Sequence, residues 1–201
     1  MEKTTITLLK KQMDNATFEL FQLVENARSL DTIKPIFTFI LKQNNTLIAS
    51  DSRQLITLKN TEETSFFNDW SDGLYSVNKI KGGFILQLTE EPIKSFPNIE
   101  RVIPKEEMDN VIEYDFKISS LQGVTISKVL RVLSRYESEE APEGILINAD
   151  FLDFLFINKT LTLTWTIQGI GSMSPVSFKS ESRDYYIQKI IMPIKLITTS
   201  E

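Results

Sequence analysis

The chain has 201 residues, 41% hydrophobic and 24% charged, the make-up of a folded protein with a buried core and room for one large domain or two small ones. It contains neither His nor Cys, which excludes Ser-His-Asp and Cys-His triads, thiolate chemistry, disulfides and zinc sites of the usual ligand set. A formal net charge of −5 speaks against a uniformly basic nucleic-acid module, though not against positive charge confined to one surface.

No stretch approaches the roughly 18 apolar residues that would span a membrane. The opening MEKTTITLLKKQ lacks the apolar core of a signal peptide, so a cytoplasmic, membrane-free protein is expected. There is no P-loop, GxGxxG or GxSxG motif, and no cofactor or metal is expected. Catalysis would have to rest on carboxylate, Lys, Tyr or Ser chemistry, which disfavours an enzyme.

Residues 14–30 read as a helix: Asp14 or Asn15 caps its start, and Ala16, Leu20, Leu23, Val24 and Ala27 recur at three- and four-residue spacing. The opposite face carries Glu19, Gln22, Glu25 and Asn26. Strands are expected over residues 35–41, 46–49 and 54–58, with Gln43-Asn44-Asn45 as a turn between the first two. Residues 61–73 are polar with Phe66, Phe67 and Trp70 interspersed and fit neither period. Gly82-Gly83 then joins two runs, 74–80 and 84–88, into a hairpin.

From 92 to 105 the chain reads as an extended connector punctuated by Pro97 and Pro104, and a domain boundary is placed within it, between residues 103 and 104. Beyond it a strand is expected over 111–118 and a helix over 127–136. An acidic loop over 137–143, a short apolar helix over 148–156 and strands over 161–167, 176–179 and 185–194 complete the chain. The mixture is α+β with two sheet-rich halves, 1–103 and 104–201.

On the helix near 125–136, Ile126, Val129, Leu130 and Leu133 make an apolar stripe. Lys128, Arg131 and Arg135 share the other face with Ser127 and Ser134. Three cations and two hydroxyls suit phosphate oxygens without reading base sequence; the bland alternative is an ordinary solvated face. Asp51, Asp115, Asp150 and Asp153 are candidate carboxylates for catalysis or a metal. They lack the spacing of a cation loop and read more readily as turn and surface residues.

Three segments resemble the bacterial sliding clamp family, the β subunit of DNA polymerase III. Lys34-Pro35-Ile36-Phe37-Thr38, followed by Leu47-Ile48-Ala49-Ser50-Asp51-Ser52-Arg53-Gln54-Leu55, is similar to that family's RPILTG and ATDxHRL segments. Ser95-Phe96-Pro97-Asn98-Ile99-Glu100-Arg101-Val102-Ile103-Pro104 is similar to its FPDYERVIP connector. Ile190-Ile191-Met192-Pro193-Ile194-Lys195-Leu196 is similar to its C-terminal VVMPMRL. The match is to the middle and last of the family's three domains, each shortened. Arg53 stands where the family has His, and Gln54 where it has Arg.

The resemblance implies a DNA-clamp-like α+β fold, with antiparallel sheets backed by helices in two small clamp-type domains. It also implies a peptide groove formed by Phe37, Ser50, Ser52, Arg53, Leu55, Pro97, Arg101, Val102, Ile190 and Met192. The implied partners are double-stranded DNA, gripped without sequence preference with Lys128, Arg131 and Arg135 facing it, and a DNA polymerase or clamp loader held by a short hydrophobic peptide. A ring of about six domains would need a homo-oligomer, a trimer if both domains are complete. Two other readings stay open: a clamp-like adaptor or decoy that binds such peptides without encircling DNA, and a carboxylate-dependent enzyme on an unrelated fold.

Overall fold

The computed structural model describes residues 5–61, 66–103, 114–117, 129–130, 133, 145–157, 164–168, 175–182 and 184–194. Their strands are β1 (Thr5–Leu9), β2 (Ile40–Gln43), β3 (Thr46–Ser50), β4 (Gln54–Asn60), β5 (Gly73–Ile80), β6 (Gly83–Leu88), β7 (Tyr114–Lys117), β8 (Thr164–Gln168), β9 (Val176–Glu181) and β10 (Tyr185–Ile191). They form one 10-stranded sheet in the order β1-β6-β5-β2-β3-β4-β10-β9-β8-β7, with every neighbouring pair antiparallel. Strands β1 to β6 and strands β7 to β10 are contiguous groups, joined where β4 pairs with β10 in the register Leu55 to Ile190. The fold is the antiparallel, helix-backed α+β arrangement expected.

Helix α1 (Asn15–Glu25) starts where Asp14 caps it: Thr17 N donates to Asp14 Oδ1 at 2.8 Å, and the Thr17 hydroxyl first, with this amide, holds the carboxyl below the usual Asp value. It stops short of the expected residue 30. Ser29 Oγ accepts from Asp31 N and Asp31 Oδ1 accepts from Ile33 N, local turns that compete with helix continuation. Arg28 folds back instead, donating to Glu25 Oε1 at 2.9 Å and to the Thr38 carbonyl at 3.3 Å.

Three other segments depart from the sequence expectation. Pro35–Thr38 is a 3-10 turn rather than a strand, because Pro fixes the first φ and Thr38 Oγ1 donates back to the Pro35 carbonyl; β2 therefore begins only at Ile40. The connector is not plainly extended but makes 3-10 turns at Ile93–Ser95 and Ile99–Arg101. Strand β1, which no pattern in the sequence announces, pairs with β6. Gly83 makes that pairing possible, since a Cβ there would lie 2.1 Å from the Leu8 carbonyl oxygen, while Gly82 takes the left-handed φ of 79° at the hairpin tip.

Alternation along the strands sorts the core into two clusters. On the helix side, Ile40, Leu47, Ile56, Leu58, Tyr75, Phe84, Trp165, Phe178, Ile187 and Ile191 meet Phe18, Phe21 and Val24 of α1. Leu152, Phe154 and Leu155, on the Ala149–Leu152 turn and the short helix α2 (Phe154–Ile157), complete this layer with Val129 and Leu133. Phe66, Phe67 and Trp70 close it with edge-on ring contacts, Trp70 lying 6.4 Å from Phe21. On the opposite, outer side, Leu41, Ile48, Leu55, Leu74, Ile190 and Phe96 form a smaller cluster covered, among the described residues, by Ile36, Phe39, Ile93, Ile99, Val102 and Ile103.

Candidate functional site: a groove on the outer face

The site begins with a tight turn between β3 and β4. Asp51 Oδ1 accepts from Arg53 N at 2.8 Å and Gln54 N at 2.9 Å, and Asp51 Oδ2 accepts from Gln54 Nε2 at 2.9 Å. Ser50 Oγ donates to the Gln54 carbonyl at 2.7 Å and accepts from Ser52 N at 3.2 Å. Together these bonds hold Ser52 at a φ of 79°, a backbone region costly for a residue with a Cβ. Asp51, a candidate carboxylate by sequence, is thus committed to shaping the turn.

Two further segments converge on this turn. The end of β10 is tied to it, with Met192 N donating to the Arg53 carbonyl at 2.9 Å, and Ile194 N donates onward to the Leu146 carbonyl. The connector crosses in front as a strap. Phe96 is buried and its ring lies 6.4 Å from Phe37 in an edge-on contact, while Asn98 caps the next turn by accepting from Glu100 N.

Between turn, strap and strand end lies a cavity of about 170 Å³, lined by Phe37, Ser50, Ser52, Arg53, Gln54, Leu55, Phe96, Pro97, Asn98, Ile99, Val102, Ile190 and Met192. The structure therefore gathers around one cavity every groove residue expected from sequence except Arg101, which is exposed on the strap and does not line it. Gln54, Phe96, Asn98 and Ile99 also line it without having been singled out. Gln54, Phe96 and Asn98 each adjoin a residue named from the sequence, and Ile99 sits inside the same connector motif, so the motifs themselves carried the signal. Lys128, Arg131 and Arg135 lie outside the described residues. Asp150 and Asp153 are exposed, and among the described residues no group of three or more acidic side chains is placed to hold a metal.

The cavity is smaller than the roughly 300–1,000 Å³ of typical cofactor and small-molecule sites. Apolar residues dominate the lining, with Ser50, Ser52, Arg53, Gln54 and Asn98 as its polar members and no paired acid and base among them. Such a cleft can hold one or two apolar side chains while its polar residues meet a peptide backbone, which is the anatomy of an anchor pocket.

Beneath the turn, on the helix side of the sheet, lies Lys189, 3% exposed. Its Nζ donates to Gln54 Oε1 and sits 5.5 Å from the centroid of the Phe154 ring. Burial, opposed by the attraction of Asp51, pulls the ammonium pKa down to about 7.

No protein-family model matches the chain, and no curated protein sequence matches it. Solved structures do. The DNA polymerase sliding clamp from Bacillus subtilis is 14% identical with a TM-score of 0.54, over 97% of this chain and 65% of that one. DNA polymerase III beta chain from Streptococcus pneumoniae is 17% identical with a TM-score of 0.57, over 98% and 66%. The Helicobacter pylori beta clamp bound to a DNA ligase peptide is 11% identical with a TM-score of 0.52, over 96% and 66%. No described helix is long and apolar enough to cross a membrane. The chain spans 65–66% of the length of these proteins, just under two thirds, and over that length it has the fold of the bacterial DNA polymerase III beta sliding clamps.

Proposed function

We propose that this chain is a small DNA sliding clamp that encircles double-stranded DNA as a homo-oligomer and tethers a polymerase or clamp loader through a peptide in the outer groove. The observation that carries the reading is the groove itself: an apolar cavity assembled from three sequence-remote segments on a sheet with the clamp fold. A clamp of this fold, from Helicobacter pylori, has been solved with a DNA ligase peptide bound. The mechanism is topological, enclosure of DNA combined with peptide capture, with no bond made or broken.

In this reading residues 1–103 and 104–201 are two clamp-type domains. Strands β1 and β7, the two ends of the described sheet, each have one neighbour and leave one backbone edge available. Pairing β7 of one copy with β1 of the next would close a ring and hide edges that otherwise invite aggregation. Lys128, Arg131 and Arg135 would face the DNA.

One observation favours a second reading, an adaptor that binds peptides without encircling DNA. Helix α1, on the helix side of the sheet, carries Glu19 and Glu25 but no Lys or Arg, so it brings no cation to a DNA-lined channel. Retention on nicked circular against linear DNA, with the mass measured by light scattering, separates the two. A clamp has a mass at a multiple of the chain, stays on circles and runs off linear ends. Replacing Lys128, Arg131 and Arg135 with Glu should abolish its retention on circles. A monomer that binds an apolar peptide and ignores both DNA forms is the adaptor.

A further inference from the structure

Resting on the groove reading above, we infer that Lys189 is a positioning residue for the groove: through the Gln54 amide and the Asp51 carboxylate, its buried ammonium locks the turn that forms one wall.

The geometry is a relay across the sheet. Lys189 belongs to β10 and points to the helix side, while its strand neighbour Ile190 points to the outer side and lines the cavity. Lys189 Nζ donates to Gln54 Oε1; Gln54 Nε2 donates to Asp51 Oδ2; Asp51 Oδ1 receives the amides of Arg53 and Gln54. Gln54 is both the middle link and a lining residue, so the relay ends at the groove wall.

A charged lysine fixes the direction of every bond in this chain, because an ammonium can only donate. The Gln54 oxygen must face Lys189, and its NH2 must face Asp51. A neutral amine makes only the weaker, uncharged form of the same bond, so the Gln54 amide is then anchored mainly by the accept-only Asp51 carboxylate and the relay slackens. That loosens a turn already holding Ser52 in an unfavourable backbone region.

The surroundings of Lys189 are simple. Its same-face neighbours are Ile187 and Ile191 on β10, Gln54 and Ile56 on β4, and Val176, Phe178 and Ser180 on β9, with the Phe154 ring above; none is charged. Asp150 and Asp153, on the segment that packs over it, are exposed. Among the described residues the charge that acts on it is Asp51, and burial opposes that attraction, so its proton is exchanged close to pH 7. An apolar side chain of similar volume would cost the core less than a buried cation held by one amide and a ring face. A sequence that breaks a packing rule at the back of a cavity is behaving as functional sites do.

The test has two arms on the full chain. In the first, the Gln54 side-chain NH2 resonances and the Met192 amide are followed by NMR from pH 5.5 to 9. In the second, a fluorescein-labelled pentapeptide with leucine and phenylalanine anchors is titrated at pH 6 and pH 8.5. The wild type should show the Gln54 resonances moving with a midpoint near 7 and the peptide bound about fivefold more weakly at the higher pH, the worth of one ordinary hydrogen bond. Lys189→Met should flatten both and bind at the weaker level; Lys189→Arg, which keeps its charge, should bind at the tighter level at both pH values. Gln54 resonances that do not titrate, that titrate equally in Lys189→Met, or that titrate while affinity stays constant would overturn the inference. A peptide that binds at no pH sinks the groove reading instead, and the NMR arm still decides the role of Lys189.

Discussion

Two leucines on one strand face opposite worlds. Leu58 of β4 points to the helix side, 1% exposed in the large cluster with α1 and the aromatic rings; Leu55, three residues earlier, points to the outer side, 4% exposed in the small cluster under the strap. By exposure they are alike, but their packing differs. The helix side is filled by Phe21, Phe67, Tyr75, Phe84 and Trp165, all essentially inaccessible, whereas the outer side stops at a cavity that Leu55 itself lines. One face of the sheet is built for stability. The other gives up packing to leave room for something else.

Truncating the two leucines tests that contrast. Leu58→Ala should cost about 3–4 kcal/mol, because a well-packed wall collapses little into the hole left behind. Leu55→Ala should cost about 2 kcal/mol, at the low end for such a change, since part of its surface already lacks protein contacts. Urea unfolding measures both. Peptide affinity should order them the other way, falling at least about tenfold for Leu55→Ala, which removes a wall of an anchor pocket, and staying within twofold for Leu58→Ala. Equal stability losses would mean that the outer cluster is packed as tightly as the core.

Lys189 sharpens the same comparison, since it lies on the stable face and serves the open one. Its folded pKa of about 7 is below the unfolded value of 10.5, so between those limits the unfolded chain binds the extra proton and stability rises with pH. The contribution is complete above 10.5 and lost as pH falls through 7. Between pH 7 and 9 the wild type should gain about 2 kcal/mol relative to Lys189→Met. The variant should be the more stable of the two at pH 6, where the wild type holds a charge in its core. Thermal or urea midpoints for the pair across that range decide it; parallel curves would show that the lysine is not buried as described.

Much of the architecture was legible because the strands that matter are short apolar runs bounded by turn residues. Runs such as Thr46–Ser50 and Gln54–Asn60 announce themselves by their consecutive apolar residues and by the Asn and Asp-Ser turns beside them. Strand β1 escaped because Thr5–Leu9 is short, lacks a flanking turn signal on its N-terminal side and takes its identity from a partner, β6, more than seventy residues away. The 3-10 turn at Pro35–Thr38 escaped because its apolar residues mimic a strand and only the proline argues otherwise. For the groove, the short motifs around Phe37, Arg53, Pro97 and Ile190 named the segments, but no local pattern says that they meet. Lys189 shows where sequence reasoning runs out. A lysine between glutamine and two isoleucines reads as a solvent-facing strand residue, and its burial depends on Phe154 arriving from another element.

The smallest expected effect probes the price of the open face. Ser52 is held at a φ of 79° by the backbone bonds that the Asp51 and Ser50 side chains accept around it. Glycine reaches that backbone region without a Cβ penalty, although it also frees the unfolded chain, so the two terms partly cancel. Ser52→Gly should therefore stabilise the protein by about 0.5 kcal/mol, while Ser52→Val, which combines the unfavourable φ with a branched Cβ, should destabilise it by about 1–2 kcal/mol. Leu58→Ala opens a hole on the other side of the same sheet without touching this turn, so the glycine gain should persist unchanged in the double variant. A gain that vanishes there would mean that the two faces are coupled through β4, and that the groove's geometry is set by core packing rather than by the Asp51 turn.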